Sequence, residues 1–271
     1  MRRALLTSAI LVLVQTATQS AAHEFWVEPE KYQVESGAPL VADLRNGQNF
    51  RGAALAYFPA QTARFDLITA TGTTPVTPRM GDIPALATTA PADGLLVILH
   101  ETRASTVKYT KPETFAGFTA HKDFPTALQT HRDRGLPETG FIETYRRFAK
   151  ALVAVGDGAG ADAPAGMETE FVALTNPYTD DPAQGLAARL LYQGHPRAQA
   201  QVEIFDRAPD STVAISYLRT DDAGVVRVPL IPGHAYLLDA VVLRPVNEGA
   251  PFDPDTPVWE TLWAAMTFAV P

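Results

Sequence analysis

The chain is dominated by short apolar segments that are separated by glycine, proline and asparagine. Along residues 40–45 the side chains alternate with a period of two, which is typical of a half-buried antiparallel strand. This pattern predicts strands rather than long helices for the first part of the chain. The predicted strands there are 39–44, 53–58, 64–68, 94–100 and 106–109.

The last hundred residues repeat the pattern more regularly. Turn sequences such as Asn176-Pro177 and Pro232-Gly233 separate the apolar segments at short intervals. Such spacing favours a small Greek-key β-sandwich over residues 167–271. The predicted strands are 168–174, 186–192, 200–205, 213–217, 225–230, 236–243 and 259–270.

A different pattern occupies residues 112–151. Residues 113–118 and 124–130 are compatible with helices, and 138–151 carries Phe141, Tyr145 and Phe148 at three- and four-residue steps, which favours a third helix. The fold class predicted is mainly β, with two antiparallel β-sandwich-like domains and a helical insertion in the first. The first domain is 23–156, the glycine-rich linker is 157–166, and the second domain is 167–271.

The N terminus predicts export. Arg2 and Arg3 precede an apolar stretch, and the small residues Ser20 and Ala22 have the spacing that a signal peptidase recognises. We therefore expect residues 1–22 to be a signal peptide, with cleavage between Ala22 and His23, and the mature protein to be periplasmic or secreted. The apolar stretch is too short to span a bilayer, so no membrane anchor is expected.

The net charge and the absence of common catalytic motifs argue against several classes of function. Asp and Glu total 30 against 22 Lys and Arg, a formal net charge of −8, which argues against nucleic acid as a partner. The sequence contains no cysteine, no H-E-x-x-H and no G-x-S-x-G, so thiol catalysis, zinc peptidase chemistry and a serine nucleophile elbow are not indicated. We therefore do not expect an enzyme.

Removal of the leader would give His23 two metal-binding groups. The free α-amine and the imidazole Nδ1 of a first-position histidine can close a six-membered chelate ring, which an internal histidine cannot do because its nitrogen is a planar amide. His100, at the end of an apolar strand, is the expected second ligand. His121 and His131, ten positions apart in the insertion, are weaker candidates, whereas His195 and His234 are predicted to lie in exposed turns.

Several segments resemble a known family of exported proteins. They are His23-Glu24-Phe25-Trp26 after the leader, Glu143 to Lys150 with Val155-Gly156, Glu170 to Tyr178, Leu191 to Val202, Thr220 to Gly224, Pro232 to Leu238, and Trp259 to Trp263. Together they resemble the domain-of-unknown-function family grouped with periplasmic components of nickel and cobalt uptake systems, also labelled NikM-like or CbiK-like. The C-terminal part separately resembles transthyretin-like and carboxypeptidase-regulatory-like Greek-key modules.

This resemblance implies a periplasmic protein that binds a divalent transition metal and delivers nickel or cobalt to a membrane permease. Copper fits the histidine ligands equally well, because intrinsic affinity peaks at copper. Two alternatives stay open. One is a copper-binding protein or copper oxygenase that uses the N-terminal histidine, and the other is a structural or adhesive β-sandwich module that binds no metal.

Overall fold

The computed structural model describes residues 23–271, and the predicted signal peptide lies outside the described residues. The described chain forms eighteen β-strands, two α-helices and a short 3-10 helix, Pro182–Gln184. The first strands are β1 (Glu24–Pro29), β2 (Gln33–Val34), β3 (Pro39–Gln48), β4 (Arg51–Leu55), β5 (Thr62–Thr69), β6 (Gly72–Pro75), β7 (Leu86–Thr89), β8 (Gly94–Thr102) and β9 (Ser105–Tyr109).

Two helices, α1 (Pro112–His121) and α2 (Ala127–Asp133), separate these strands from the rest. The remaining strands are β10 (Phe141–Val155), β11 (Thr169–Ala173), β12 (Leu186–Tyr192), β13 (His195–Pro196), β14 (Gln201–Arg207), β15 (Val213–Arg219), β16 (Val225–Val228), β17 (Ala235–Pro245) and β18 (Pro257–Ala269). The mainly β prediction is confirmed, and helices predicted at 113–118 and 124–130 are present as α1 and α2.

A ten-stranded sheet runs through the middle of the molecule. Its main order is β15-β14-β17-β18-β10-β8-β5-β6, and β2 and β9 add to β10. The long strands β10 and β18 pair in parallel over residues 142–151 and 257–267, whereas β17 pairs antiparallel with β18 over eleven positions. These long central strands join the first half of the chain to the second.

Two smaller sheets cover the two faces of the central sheet. The sheet of β1, β3, β4 and β7 packs on the front face, which carries Ala149, Ala151 and Val153 of β10. The sheet of β11, β12, β13 and β16 packs on the back face, which carries Leu152. Because each face has its own cover, residues 148–155 of β10 are all buried, as expected for a strand between two layers.

The helices pack on the front face beside the N-terminal sheet. Phe115 and Phe118 of α1 join a buried aromatic cluster with Phe141, Trp259 and Trp263. The tryptophans of β18, Trp259 and Trp263, are therefore covered by the helices. The junction between the N-terminal sheet and this helical layer is where the candidate site lies.

One helix prediction is wrong. Residues 138–151 were predicted to be helical, but the structure has the strand β10 from Phe141 to Val155. Steps of three and four residues between large side chains occur by coincidence here, since the run from Phe148 to Val155 is apolar at every position except Lys150 and fits a strand buried on both faces as well as a helix. The helical insertion therefore spans α1 and α2 only.

The predicted domain boundary at 157–166 falls in a segment without strand or helix. The central sheet nevertheless continues across it, since β10 lies before the boundary and its partner β18 lies after it. The two sandwich-like halves thus share the middle layer. Among residues 23–271 no helix has the length and apolar character needed to cross a membrane.

Candidate functional site

A cavity of about 200 Å³ lies at the junction between the N-terminal sheet and α1. Its wall comes from segments far apart in sequence, because the chain just before β1, the strands β3, β9, β10 and β18, and α1 all reach it. The polar groups that line it are His23, Asn46, Tyr109, Thr114, Glu143, Tyr145 and Arg147. Aromatic and charged groups therefore share one small cavity that opens to solvent at His23.

Strand alternation places the polar groups of β10. Side chains of alternate residues point to the same face of a sheet, and Glu143, Tyr145 and Arg147 all line the cavity. In the parallel register Arg147 lies beside Trp263, whose side chain also lines the cavity. From the sequence, a tyrosine and an arginine of the segment Tyr145-Arg146-Arg147 could contact a ligand anion, although packing and surface pairing are the commoner roles. Glu143 was missed as a site residue because a helix was expected here.

Glu143 is a buried carboxyl held by two hydroxyl groups. The Tyr109 hydroxyl donates to its Oε2 at 2.8 Å, and the Thr261 hydroxyl donates to its Oε1. Trp263 Nε1 donates in turn to Thr261 Oγ1 at 3.0 Å. Burial raises the pKa of Glu143 to about 7, against the stabilising hydroxyl hydrogen bonds, since a low-dielectric site disfavours the charged form.

Arg147 connects the cavity to the N terminus. Its Nη2 donates to the backbone carbonyl of His23 at 3.0 Å, and its Nη1 lies 3.4 Å from Asn46 Oδ1. The guanidinium also stacks over Tyr145, with its central carbon 5.0 Å from the ring centre. Burial lowers the pKa of Arg147 below its ordinary value. The first predicted residue of the mature chain is thus fixed through its carbonyl oxygen.

His23 itself is exposed and lines the cavity. Its carbonyl is held, while its side chain lies at the solvent boundary. The predicted cleavage between Ala22 and His23 falls at the border of the described residues, so the cleavage stays a prediction.

His100 lies in a different environment from the one expected. It was predicted to project from a strand end near the rim, but it is only 2% exposed, because β8 continues to Thr102 and the N-terminal sheet covers it. The rings of Phe25 and Phe65 pack against it at 5.4 and 5.2 Å. Burial lowers its pKa to about 3, and it is not among the residues that line the His23 cavity.

His121 and His131 have separate partners. His121 Nε2 lies 2.8 Å from Glu203 Oε1. His131 is buried, where its Nδ1 accepts a hydrogen bond from Trp259 Nε1 at 3.0 Å and its Nε2 lies 2.9 Å from the Pro137 carbonyl oxygen. Both ring nitrogens of His131 are thus occupied by structural hydrogen bonds.

The two turn histidines also differ. His195 is exposed, as predicted. His234, which was predicted to be exposed, is partly buried, and its Nδ1 contacts Asp206 Oδ1 at 2.6 Å. The strand pairing of β14 with β17 brings Asp206 opposite Tyr236, and this tertiary neighbour could not be read from the turn sequence.

A buried ion cluster lies next to the cavity. Lys122, just after α1, places its Nζ 2.9 Å from Glu203 Oε2 and 2.8 Å from Asp239 Oδ2, and 4.8 Å from the centre of the Trp263 ring. Burial raises the pKa of the nearby Glu24 to about 7, and the charge of Asp239 adds to the rise. No local sequence pattern indicated this cluster, because its members come from four different elements.

A second buried cation lies on the back face of β10. Lys150 Nζ contacts Glu170 Oε2 at 2.8 Å and Asp162 Oδ1 at 3.3 Å. Asp162 belongs to the segment predicted as a linker, so this contact holds that segment against the sheet. Lys150 is three positions from Arg147 in β10, so the two side chains point to opposite faces of the sheet. Arg147 lines the cavity on the front face, and Lys150 lies on the back face.

Within residues 23–271 no group of three or more histidine, aspartate or glutamate side chains is arranged to hold a metal ion. Metal binding at this site would therefore depend on His23 and on groups created by removal of the leader.

Two of the solved structures that match this chain align over most of its length but superpose poorly. One is a "tetra-tandem repeat in extending region of large adhesion protein", with 11% identity over 91% of this chain and a TM-score of 0.20; this chain spans about half, 49%, of that chain. The other is the "D0-D1 domain of Intimin", with 12% identity, 90% of this chain and 97% of that one covered, and a TM-score of 0.20. Overlaps this poor carry no argument about fold or function.

The remaining comparisons concern sequence. No curated protein matches the chain. A family model does match, over residues 20–244, and its description is "Domain of unknown function (DUF4198)". The match includes His23, both helices and most of the strands that build the cavity. Because it covers well over half of the sequence, the chain belongs to the DUF4198 family.

Proposed function

We propose that this is an exported, non-enzymatic protein that binds a divalent transition metal through His23 and passes it to a membrane uptake system. Nickel and cobalt are the metals that the family resemblance suggests, and copper is favoured by the ligand chemistry. The metal is cargo, so its release matters as much as its capture.

The observation that carries the proposal is the hold of Arg147 on His23. The carbonyl of His23 is bound at 3.0 Å by Arg147 Nη2, while the residue is exposed at the edge of the cavity. A fixed backbone with an accessible imidazole is what an amine and Nδ1 chelate requires, because less conformational freedom is lost when the ring closes on the metal.

The protein ligand set is small. His100 is buried between phenylalanine rings, and both nitrogens of His131 are hydrogen-bonded, so neither adds a ligand to His23 without a rearrangement. His121 has Glu203 as its partner. Two nitrogen donors from one residue, completed by water or a small ligand, would bind more weakly than a closed four-residue site, which suits a carrier that must release its metal.

The test is metal titration by calorimetry of a protein that begins at His23, with nickel, cobalt and copper each measured separately. We expect one equivalent of metal per chain and at least tenfold weaker binding in two variants, His23→Ala and a form with one extra N-terminal residue, since the second loses only the free amine. His195→Ala is the matched control and should bind like the native protein, because His195 is exposed and distant in sequence from the cavity.

The form with one extra N-terminal residue tests whether the free amine of His23 binds the metal. Equal affinity in the extended and native forms would overturn the amine chelate. If none of the three metals binds at stoichiometric levels, the structural or adhesive module becomes the better reading. Oxygen consumption by the copper form with a reductant would instead indicate an oxygenase.

A further inference from the structure

Arg147 is a partly buried cation without a carboxylate partner among the described residues. Among residues 23–271 no aspartate or glutamate oxygen lies within 4.0 Å of its guanidinium nitrogens, while its acceptors are the neutral oxygens of His23 and Asn46. Its Nε is buried and has no hydrogen-bond partner. A charge that is partly removed from water and not compensated by a counter-charge is costly to a fold, so this guanidinium is suited to bind an anion.

The acids that face Arg147 are already committed elsewhere. Asp239 of β17 contacts Lys122 at 2.8 Å. Glu24 of β1 accepts the backbone N–H of Asn49 at 3.1 Å. Glu143, two positions away on β10, accepts hydrogen bonds from Tyr109 and Thr261, and burial raises its pKa to about 7. Only part of the charge of Arg147 is balanced within the chain near neutral pH.

The rest of the cavity is aromatic and small. Trp263, Phe118 and Tyr145 line it, and Arg147 lies 6.0 Å from the Trp263 ring centre. A volume of about 200 Å³ is below the range of roughly 300–1,000 Å³ that is usual for drug-sized ligands. The space thus suits a compact molecule with a flat apolar body.

We propose that this cavity binds a small organic carboxylate, whose carboxylate group pairs with Arg147 and whose apolar body packs against Trp263 and Tyr145. A guanidinium presents N–H donors in a planar fork that matches a carboxylate. The aromatic walls exclude water from the pair and select a flat or short apolar substituent over a strongly hydrated one. The carboxylate would occupy the cavity that His23 borders, but its binding requires neither the free amine nor a metal ion.

The experiment compares benzoate with benzamide on the metal-free protein in the presence of a chelator. The two probes have nearly the same shape and differ in charge. Calorimetry, supported by ligand-observed NMR, should show benzoate binding at least tenfold more tightly than benzamide. Because the chelator removes metal and the comparison uses the native chain, a failure here is separate from a failure of metal delivery.

Two variants test whether the positive charge that pairs with the carboxylate is that of Arg147. Arg147→Met should abolish the preference for benzoate, and Arg147→Lys should retain a weaker preference because the point charge remains while the fork is lost. Arg207→Met is the matched control: Arg207 also stacks on an aromatic ring, Phe50, at 4.0 Å, but it pairs with Glu28 at 2.6 Å and is not part of the cavity wall, so benzoate binding should be unchanged.

Three results would overturn the proposal. They are equal affinity for benzoate and benzamide in the native protein, unchanged benzoate binding in a folded Arg147→Met variant, and no detectable binding of benzoate up to about 10 mM. Thermal melting of each variant establishes that it is folded. If Arg147→Met does not fold, the native benzoate and benzamide comparison together with Arg147→Lys still decides.

Discussion

Replacement of Lys122 by methionine is the sharpest test of the ion cluster beside the cavity. The ammonium group lies between Glu203 and Asp239, at 2.9 and 2.8 Å, and all three residues are at most 5% exposed. Methionine fills a similar volume and keeps the contact with Trp263, so the main change is the loss of one positive charge. The buried carboxyl groups of Glu203 and Asp239 are then left without their positive partner.

The magnitude follows from the cost of an unpaired buried charge. Removal of one partner of a buried ion pair typically destabilises a protein by about 3–5 kcal/mol. Asp239 has an added reason for this cost, since its Oδ1 is buried and has no hydrogen-bond partner. Burial raises the pKa of Asp239 while Lys122 opposes the rise. For Glu203 burial also opposes ionisation, but His121 and Lys122 outweigh it and keep its pKa below the usual value.

The pH dependence gives the prediction its sign. Without Lys122 the pKa of both carboxyl groups should rise, so the folded variant takes up protons more readily than the unfolded chain. Its stability should then increase as the pH falls. We expect the loss relative to the native protein to be largest near pH 8 and clearly smaller near pH 5, as measured by urea unfolding with tryptophan fluorescence.

Two further variants make the test specific. Asp239→Asn in the Lys122→Met background should recover part of the lost stability, because the double variant no longer holds the Asp239 carboxylate that Lys122 had neutralised. Lys108→Met, at an exposed position of β9, should change the free energy of unfolding by no more than about 0.5 kcal/mol. A loss in Lys122→Met that is the same at both pH values would refute the electrostatic reasoning.

Two other predictions concern Glu143 and Gly52. Burial raises the pKa of Glu143 from 4.5 to about 7, so the native protein should lose stability as the pH rises from about 4.5 to about 7. Glu143→Gln should remove up to about 3 kcal/mol of this pH-dependent loss of stability. Identical stability profiles against pH for the two proteins would contradict this prediction. Gly52→Ala places a Cβ 2.4 Å from the Asn46 carbonyl oxygen and 2.8 Å from the Trp26 ring, and should cost about 2 kcal/mol in the same unfolding assay. Gly117→Ala is its control, since a Cβ there meets no atom within 4 Å and stability should rise slightly.

Local chemistry was enough to predict most of the secondary structure. The apolar segments at 39–44, 64–68 and 186–192 lie within β3, β5 and β12, and the two short helices lie where the insertion predicted them. These elements are specified by alternation and by turn residues, which act over a few positions. The exception is β10, whose identity as a strand depends on its neighbours in the sheet.

The candidate site was only partly predictable. The leader pattern singled out His23, and the structure places it on a cavity. Its expected partner His100 is covered by Phe25 and Phe65, because a histidine at the end of an apolar sequence segment can still lie inside a longer strand. From the sequence, the segment of Arg147 was a possible contact for an anion but was not placed in a cavity, and Glu143 had no site role because the predicted helix put that residue on an exposed face.

The sequence by itself determined the strand-rich class, the positions of the turns and the two helices, because each depends on the side-chain pattern over a short window; the export signal stays a prediction outside the described residues. Only the tertiary structure decided that β10 and β18 lie side by side in parallel, and so brought Arg147 next to Trp263 beneath His23. Contacts between residues more than a hundred positions apart depend on which faces are buried together. The local periodicity of side chains does not specify which distant segments pack together.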